Sequence, residues 1–454
     1  MEYKGKHILV LGAGESGIGA AHVLGSLGAK TVLNDYKEVA LSEDVRNTLN
    51  DVGVEIIMGR QGNDLLNGVD RVIVSPGLSL EIPILQEALA RHISIVGEVE
   101  LAYEVCKAPI LGITGTNGKT TTTTLLTEVM RGTDHPVLVG GNIGDSLSEA
   151  AFRAPAHGLL VAELSSYQLE TIDTFTPHGA IVLNVTPDHL TRHKTMENYA
   201  ACKANIFRNQ TEHDFVVLNQ DDPIVAAMAQ EAHSQVLWIS QSQPVDAGAY
   251  FAEGICYAVK DGRAFPVISQ ADIHIPGSHN IENILAVIAL AYALGVSVDT
   301  IASTIKTFTG VEHRLERVAT IDGVTYYNDS KATNVDSVVK ALDAFDQPVI
   351  LLAGGHDKLT PLDDFMQVVK VHTKELILMG EAADRFENAA KVAGITHIHR
   401  ADSMKNAVQI GHDLASQGDI VLLSPACSSF DWYSCFEERG EDFKNVVKAM
   451  QEGK

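Results

Sequence analysis

The chain alternates between short strand-like runs and longer stretches in which apolar residues recur at helical spacing. Residues 7–11, 30–35 and 159–162 predict strands, and residues 18–27 and 122–130 carry the spacing of one helical face. The repeated order of strand, loop and helix predicts an α/β protein with mostly parallel sheets. Ligands of such sheets bind beyond the carboxyl ends of the strands, so the loops there are the candidate sites.

One of these loops joins a predicted strand to a predicted helix and reads Ile113-Thr114-Gly115-Thr116-Asn117-Gly118-Lys119-Thr120-Thr121. In a phosphate-binding loop of this kind, backbone N–H groups and the helix N-terminus bind phosphate oxygens. Lys119 would lie near the β- and γ-phosphates, and the Thr120 hydroxyl would bind Mg²⁺. The strict pattern requires glycine at 113, where this chain has isoleucine. We interpret the loop as a nucleoside triphosphate site, with an ordinary strand-to-helix turn as the alternative.

A second glycine-rich loop lies near the N-terminus and reads Gly12-Ala13-Gly14-Glu15-Ser16-Gly17. It matches the G-x-G-x-x-G pattern of dinucleotide-binding folds, with Asp35 about 20 positions on as the partner of a ribose hydroxyl. The same geometry serves any nucleotide diphosphate, because it recognises a pyrophosphate and a sugar edge. The turn Ser75-Pro76-Gly77 follows a further strand and is either part of this ligand edge or a simple turn.

In the middle of the chain, polar residues follow three further runs. Asn142 lies in a glycine-rich turn, Glu163 ends a buried strand, and Asp188 and His189 follow the next strand. Glu163 is a candidate Mg²⁺ ligand, and His189 is expected beside it. Asn280 and Asn283 lie one turn apart at the start of a helix, where they either bind an adenine edge or cap the helix.

Lys203 lies in a helical stretch of mostly small and apolar residues. On composition alone it is a solvated surface lysine. If it points into the site, burial would lower its pKa and leave a neutral amine. Such an amine can react with CO₂ to give a carbamate, which resembles a carboxylate and can bind Mg²⁺.

In the last third, three predicted strands end in polar loops that contain Lys331, Lys358 and Ser429. Neighbouring parallel strands would place these loops on one edge of a sheet. Lys358 is suited to pair with a carboxylate and Ser429 to donate a hydrogen bond to it. An anionic substrate is therefore expected here, against the alternative of solvated loops.

Composition narrows the class of protein. The length of 454 residues suggests roughly three domains. A formal net charge of -24 argues against a nucleic-acid binder, and the five cysteines show no spacing typical of a disulfide framework or a zinc site. The absence of a signal sequence or a long apolar run predicts a cytoplasmic protein with no membrane partner.

Two nucleotide-binding loops in one chain restrict the function further. A dehydrogenase has no use for the Gly-Lys-Thr loop, and a simple NTPase has no use for the first glycine-rich unit. An ATP-dependent ligase that acts on a nucleotide-linked substrate uses both. A dehydrogenase and a non-catalytic nucleotide-binding regulator remain as alternatives.

The motifs resemble those of the Mur ligase family along essentially the whole chain. In family order they are Thr-Gly-Thr-Asn-Gly-Lys-Thr, Gly-Gly-Asn-Ile-Gly, Glu-Leu-Ser-Ser-Tyr-Gln-Leu, Pro-Asp-His-Leu, His-Arg-Leu-Glu, Asn-Asp-Ser-Lys-Ala-Thr-Asn and Leu-Ser-Pro-Ala-Cys-Ser-Ser. The Ser-Pro-Gly and Ser-Pro-Ala-Cys segments point to the member that adds D-glutamate to UDP-N-acetylmuramoyl-L-alanine through an acyl phosphate. Another Mur-type ligase or a folylpolyglutamate-type ligase is the alternative within this class.

The resemblance implies a bacterial enzyme with three α/β domains: a Rossmann-like domain for the UDP group (1–97), a central P-loop-type ATPase domain (98–312) and a Rossmann-like C-terminal domain that binds D-glutamate and closes over ATP (313–454). A monomer is expected. The implied cofactors are ATP and Mg²⁺, with Lys119, Lys203 and His189 as catalytic residues. Mg²⁺ would be held by Thr120, Glu163, His189 and a carbamylated Lys203.

The resemblance also assigns binding residues. ATP would be bound by the loop residues Gly115, Thr116, Asn117, Gly118, Lys119, Thr120 and Thr121, and by Asn280, Asn283, Arg314 and Asp329. D-Glutamate would be held by His189, Lys331, Thr333, Lys358, Ser429 and Phe436. The nucleotide-linked substrate would be bound by Ser16, Asp35, Tyr36, Ser75 and Gly77, and Asn142 would also contact substrate.

Overall fold

The computed structural model describes residues 3–452. They form two compact units. The first comprises the residues up to Gln270 together with Glu282–Lys306, and the second comprises Ala271–Ile281 together with the residues from Thr307 onward. The first unit contains two sheets and the second contains one, each covered by helices. The predicted α/β class with mostly parallel sheets is therefore confirmed.

The N-terminal sheet of the first unit is built from β1 (His7–Leu11), β2 (Lys30–Asp35), β3 (Glu55–Met58), β4 (Arg71–Val74) and β5 (Ser94–Gly97), with helices α1 (Glu15–Ser26), α2 (Glu43–Asp51), α3 (Pro83–Ala90) and α4 (Glu98–Val105). Its order is β3-β2-β1-β4-β5, and every neighbouring pair is parallel. The order reverses beside β1, so the loop after this strand opens into the crevice where nucleotides bind in such sheets.

The second sheet comprises β6 (Ile110–Thr114), β7 (Val137–Gly141), β8 (Leu159–Glu163), β9 (Gly179–Val182), β10 (Phe215–Asn219), β11 (Gln235–Ser240), β12 (Gly248–Ala252), β13 (Ile255–Lys260) and β14 (Arg263–Ser269). Its helices are α5 (Lys119–Arg131), α6 (Leu147–Arg153), α7 (Ser166–Leu169), α8 (Leu190–His193), α9 (Met196–Ala204), α10 (Pro223–Ala227), α11 (Ser278–Ala293) and α12 (Val298–Thr307).

The strand order of this sheet is β14-β13-β12-β11-β10-β9-β6-β8-β7. All pairs from β7 to β12 are parallel, and the last two strands add an antiparallel edge. Every residue of β6 is buried between β9 and β8, which explains its continuous apolar sequence. The loop after β6 therefore emerges at the centre of the carboxyl edge, between the loops that carry Glu163 and His189.

The second unit contains β15 (Glu316–Ile321), β16 (Val324–Asn328), β17 (Val349–Gly354), β18 (Thr373–Met379), β19 (Ile398–Arg400) and β20 (Ile420–Leu423), with α13 (Val335–Leu342), α14 (Asp363–His372), α15 (Ala383–Ala393), α16 (Met404–Leu414) and α17 (Phe436–Glu452). The order β15-β16-β20-β17-β18-β19 is parallel except at β15. The three strands followed by Lys331, Lys358 and Ser429 are neighbours, so their loops share one edge as predicted.

Two helices begin earlier than the apolar spacing predicts. Helix α1 begins at Glu15 and α5 at Lys119, each directly after the glycine that caps it. The first turn of each helix consists mainly of polar and small residues next to the glycine loop, so the apolar periodicity starts later than the helix itself. Within residues 3–452, no helix combines the length and apolar character that a membrane span requires.

Helix α4 connects the two sheets of the first unit through a buried carboxylate. Glu100 is fully buried and accepts hydrogen bonds from the backbone N–H groups of Asp173 (2.7 Å), Thr174 (2.8 Å) and Phe175 (3.1 Å), and from the Thr174 hydroxyl. Donors that lose such an acceptor inside the protein would remain desolvated and unpaired. Glu100 therefore fixes α4 to the segment that precedes β9.

We expect Glu100→Ala to lower the free energy of unfolding by about 3 kcal/mol, because four hydrogen bonds to a buried carboxylate are lost, including that of the buried Phe175 N–H. Denaturant unfolding measures this change. The control is Glu87→Ala, which removes a half-exposed ion pair with Arg91 on α3 and should cost less than about 1 kcal/mol. Equal losses in the two variants would contradict the role given to Glu100.

Candidate functional site

The loop between β6 and α5 has the backbone conformation of a phosphate-binding turn. Gly115 has φ 154° and Gly118 has φ 85°, values that favour glycine. A Cβ atom added at Gly118 would lie 2.2 Å from Oδ1 of Asn283, so a side chain there is excluded by contact as well as by φ. Asn283 also accepts a hydrogen bond from the buried Thr122 hydroxyl (3.2 Å), which places this predicted ATP residue beside the loop.

Two lysine amines converge on one carbonyl oxygen of this loop. Lys119 Nζ donates to the carbonyl oxygens of Gly115 (2.9 Å) and Thr116 (2.8 Å), and Lys203 Nζ donates to the same Gly115 oxygen (2.8 Å). Lys203 is 1% exposed. Burial, followed by the charge of Lys119, holds the pKa of Lys203 well below its usual value. Lys203 is therefore a buried amine with a favoured neutral form, and the surface position suggested by composition is wrong.

Glu163 at the end of β8 is a buried carboxylate with one oxygen available. It is 1% exposed, and its Oε1 accepts a hydrogen bond from Nδ2 of Asn142 (2.8 Å) at the end of β7. Oε2 is buried and has no hydrogen-bond partner within the described chain. A buried carboxylate oxygen of this kind requires a cation or a donor. The donor set around the loop therefore fits a hard divalent cation such as Mg²⁺, with Thr120 buried at the first turn of α5.

His189 follows β9 and begins α8 with a left-handed backbone, φ 54°. Its side chain is 46% exposed, and its Nε2 lies 3.5 Å from Oδ2 of Asp188. Strand β6 lies between β8 and β9, so His189 does not follow a strand next to that of Glu163. The loop after β6 therefore lies between the strand ends that carry Glu163 and His189.

Tyr199 on α9 is a site residue that the sequence did not identify. Its hydroxyl lies 3.2 Å from Oγ1 of Thr116, and its ring centroid lies 4.4 Å from Nζ of Lys203 and 6.3 Å from the His189 ring. Burial raises its pKa to about 12, so the phenol stays protonated. Tyr199 and Lys203 are one helical turn apart, and this spacing was the available signal.

The N-terminal glycine loop packs tightly against the ends of β2 and β4. Asp35 Oδ2 accepts a hydrogen bond from the backbone N–H of Ala13 (3.0 Å), and the Ser75 hydroxyl donates to the carbonyl oxygen of Gly12 (3.2 Å). A Cβ atom at Gly17 would lie 1.8 Å from that carbonyl oxygen, so α1 can approach the loop only with glycine there. The remaining predicted residues of this edge are Tyr36, whose side chain is 71% exposed, and Gly77, where an added Cβ would meet open space.

A buried carboxylate beside Ser16 was also missed. Glu98 at the start of α4 is 2% exposed, and its Oε1 accepts hydrogen bonds from the backbone N–H and the hydroxyl of Ser148, both at 3.0 Å. Burial raises its pKa, and Ser16 is among the groups that oppose this shift. Glu98 therefore links the first glycine loop to the segment after Asn142.

In the second unit, the loops after β16, β20 and β17 are joined by hydrogen bonds. Asp329 is buried, and its two oxygens accept from the Ser424 hydroxyl (2.7 Å) and the backbone N–H of Leu315 (3.2 Å). Burial raises the pKa of Asp329 to about 7, with Arg314 among the charges that oppose the shift. These contacts place two of the predicted ATP residues, Arg314 and Asp329, beside each other.

The predicted D-glutamate residues other than His189 lie along the same edge. Lys331 Nζ lies 5.2 Å from the centroid of the Phe436 ring, and Lys358 Nζ donates to the carbonyl oxygen of Thr333 (2.9 Å). Ser429 is 2% exposed in the loop after β20. The loop after β17 meets that loop through the backbone N–H of His356. The edge therefore combines two lysines, a hydroxyl and an aromatic ring.

Arg439 on α17 holds two loops of this edge together by hydrogen bonds, and the sequence did not predict this role. It is 2% exposed, and its guanidinium donates to the hydroxyl (2.9 Å) and the carbonyl oxygen (2.7 Å) of Ser330, and to the carbonyl oxygens of Cys427 (3.1 Å) and Ser428 (3.2 Å). Burial lowers its pKa to about 10, so it stays charged near neutral pH. A lone arginine in a polar helix gives no sequence signal for this role.

Asn280 differs from Asn283, one turn further along α11. Its side-chain N–H donates to the carbonyl oxygen of Pro276 (2.6 Å) in the second unit. The boundary between the two units passes between these residues, so each one is assigned to a different unit.

Models of known families match three successive stretches of the chain. The Mur ligase MurD-like N-terminal domain matches residues 6–97, the Mur ligase middle domain matches residues 113–291, and the glutamate ligase domain of Mur ligases matches residues 313–427. Together the matched stretches cover most of the chain.

Relatives with the name UDP-N-acetylmuramoylalanine–D-glutamate ligase match over nearly full length. That of Caldanaerobacter subterraneus is 45% identical over 99% of this chain and 100% of its own, and that of Clostridioides difficile is 42% identical over the same shares. That of Geobacillus kaustophilus is 44% identical over 99% of both chains.

Solved structures support the fold. The UDP-N-acetylmuramate-alanine ligase MurC of Thermotoga maritima has a TM-score of 0.62 at 18% identity and covers 99% of this chain and 100% of its own. The MurF ligase of Thermotoga maritima in complex with ADP has a TM-score of 0.60 at 17% identity, with 93% and 96% covered. At such identities the likeness concerns the fold alone. The family models and the full-length relatives together establish that the chain belongs to the Mur ligase family.

Proposed function

We propose that this Mur ligase adds D-glutamate to UDP-N-acetylmuramoyl-L-alanine, with hydrolysis of ATP to ADP and phosphate. The observation that carries the proposal is the pair of lysine amines at the Gly115 carbonyl, inside a phosphate-type loop. The names of the full-length relatives support the choice of substrates. Family membership favours a ligase over the dehydrogenase and the non-catalytic regulator that the glycine loops also allowed.

The reaction has two balanced steps. A carboxylate oxygen of the L-alanine moiety bonds to the γ-phosphorus of ATP while the bond to the β-phosphate oxygen breaks, which gives an acyl phosphate and ADP. The amine of D-glutamate then loses a proton and bonds to the acyl carbon, and phosphate leaves. Lys119 and the N–H groups at the start of α5 would stabilise the charge on the transferring phosphoryl group.

The buried residues around the loop would hold the metal. Mg²⁺ bound by Thr120, Glu163, His189 and a carbamylated Lys203 would neutralise charge on the phosphoryl group. The neutral amine of Lys203 forms the carbamate by bonding to the carbon of CO₂ and releasing one proton. The modification would convert a buried amine into a carboxylate-like ligand, and burial already favours the neutral amine that this reaction requires.

The other assignments form part of the same proposal. Asp35, Tyr36, Ser75, Gly77 and Ser16 would bind the UDP group, with Asn142 nearer the acyl end. In the second unit, Lys331, Thr333, Lys358, Ser429 and Phe436 would bind D-glutamate. The domain limits 1–97, 98–312 and 313–454, a monomeric state and a cytoplasmic location remain predictions.

Phosphate release from ATP tests the substrates. We expect release only when Mg²⁺, UDP-N-acetylmuramoyl-L-alanine and D-glutamate are all present, with L-glutamate and D-alanine inactive. Release that requires the nucleotide but is indifferent to D-glutamate would sink the assignment. Release with a different amino acid would identify another ligase of the same family.

Lys203→Arg should lower kcat by at least about 100-fold, because a guanidinium stays charged and cannot form a carbamate. Steady-state phosphate release measures kcat, and thermal unfolding verifies that the variant is folded. The control is Lys194→Arg, an exposed lysine just after α8, which should keep wild-type activity. Full activity of Lys203→Arg would rule out the carbamate.

Ser429→Ala and Lys358→Ala should each raise KM for D-glutamate by roughly 10–100-fold, the range expected when a hydrogen bond to a charged group is lost. KM for ATP should stay unchanged. Lys370→Ala, on the exposed side of α14, serves as the control for lysine removal. An equal rise of both KM values would argue for a general folding defect.

Asp329 predicts a pH dependence of stability. Its carboxyl has a raised pKa of about 7 in the folded state, so between about pH 4 and pH 7 the unfolded chain releases a proton that the folded chain keeps. Stability contributed by this group is therefore lost as pH rises through that window. Compared with wild type, Asp329→Asn should gain stability from pH 5 to pH 8 in urea unfolding. A constant difference across this range would contradict the assignment.

A further inference from the structure

Three side chains of different chemistry lie close together where α7, α8 and α9 meet. Glu170 directly follows α7, His193 ends α8, and Cys202 lies on α9. A carboxylate oxygen, a ring nitrogen and the sulfur of these residues lie within 4.8 Å of one another. The cluster belongs to the first unit, and none of its members has a role in the proposed reaction.

His193 is buried and contacts four neighbouring side chains. Its side chain is 1% exposed. Its ring stacks on Tyr167 with centroids 5.4 Å apart and packs against Tyr199 at 5.1 Å. Its Nε2 lies 2.9 Å from the Ser166 hydroxyl oxygen, and its Nδ1 lies 3.3 Å from Oε1 of Glu170. With a cation bound at Nδ1, Nε2–H would donate to the Ser166 hydroxyl, which is the outer-shell contact typical of a metal-binding histidine.

Glu170 offers one oxygen to the cluster. Its Oε2 pairs with Nη2 of Arg192 (2.7 Å), while its Oε1 faces His193 and has a longer contact of 3.3 Å with Nε of Arg192. The arginine neutralises part of the carboxylate charge and will weaken cation binding. It also fixes the carboxylate, so a cation would meet ligands that are already oriented.

The donor set selects the kind of cation. A thiolate, an imidazole nitrogen and a single carboxylate oxygen suit Zn²⁺ and Co²⁺, whereas Mg²⁺ prefers oxygen ligands only. We propose that Glu170, His193 and Cys202 bind one thiophilic divalent cation of the Zn²⁺ class, separately from the Mg²⁺ of the ATP site. Three protein ligands leave a fourth tetrahedral position for water.

The cation must displace the thiol proton. Burial, followed by the charge of Glu170, raises the pKa of Cys202 to about 11 in the metal-free protein. A coordinated thiol loses its proton. The affinity will therefore be lower than that of a structural zinc site with several thiolates.

A second cluster of the described chain is a weaker candidate. Glu312, His313 and Glu441 also lie close together, but Lys444 pairs with both carboxylates. This cluster contains no sulfur, so a cation bound there gives no thiolate signal. The difference allows the two clusters to be distinguished in one experiment.

Titration of the reduced, full-length protein with Co²⁺ in excess Mg²⁺ tests the proposal. We expect one equivalent of Co²⁺ to give a thiolate-to-cobalt charge-transfer band in the near ultraviolet, and Zn²⁺ to remove it by displacement. Cys202→Ser should abolish the band, and His193→Gln should weaken Co²⁺ binding at least about tenfold. Ser166→Ala should also weaken it about tenfold, as expected for loss of an outer-shell partner.

The matched control is Cys106→Ser, which removes another half-buried thiol of the same unit and should leave the band unchanged. Circular dichroism verifies folding, and Ser166→Ala serves as the test if Cys202→Ser does not fold. Absence of the band in the wild-type protein, or a band that persists in Cys202→Ser, would overturn the proposal. The readout is metal binding, so the outcome does not depend on the proposed ligase activity.

Discussion

The carbonyl oxygen of Gly115 accepts hydrogen bonds from two amines that would both be cationic in water. Like charges at a shared acceptor repel, and the repulsion increases as the site becomes drier. Lys119 lies at the end of the loop, where α5 begins, and is partly exposed. Lys203 comes from α9 and is buried. The repulsion is removed when the buried amine of Lys203 is neutral. The chemistry of the site depends on this asymmetry between Lys119 and Lys203.

The sheet makes this arrangement possible. Because β6 is buried between β8 and β9, its loop lies between the loops that follow these two strands. Groups from β7 and β8 lie on one side of it, and groups from β9 lie on the other. Tyr199 then fills the space below the loop, in contact with the Thr116 hydroxyl and the Lys203 amine. Removing the tyrosine ring would open the space beside the Lys203 amine to water and weaken the burial that lowers the pKa of Lys203.

Much of the fold followed from the sequence, because buried parallel strands leave apolar runs and glycine loops leave fixed spacings. The loop residues at 115–121, Glu163 and the edge formed by Lys331, Lys358 and Ser429 were all found at strand ends. Tyr199, Arg439 and Glu98 were not predicted, because their roles arise from burial and from partners distant in the chain. Lys203 shows the same limit: its helix is mostly small and apolar, composition alone favours a solvated lysine, and only tertiary packing encloses the amine. The spatial relation of Glu163 to His189 also required the strand order.

Helix α4 carries two buried carboxylates, two residues apart, that act in different directions. Glu100 holds the segment before β9, and Glu98 holds the segment after Asn142 beside the first glycine loop. Helix α4 therefore connects the segment before β9 with the helix after Asn142, beside the first glycine loop. One buried side chain therefore holds both the loop that contains Ser16 and the helix that follows Asn142, so the protein's own contacts bring these two predicted substrate-binding segments together.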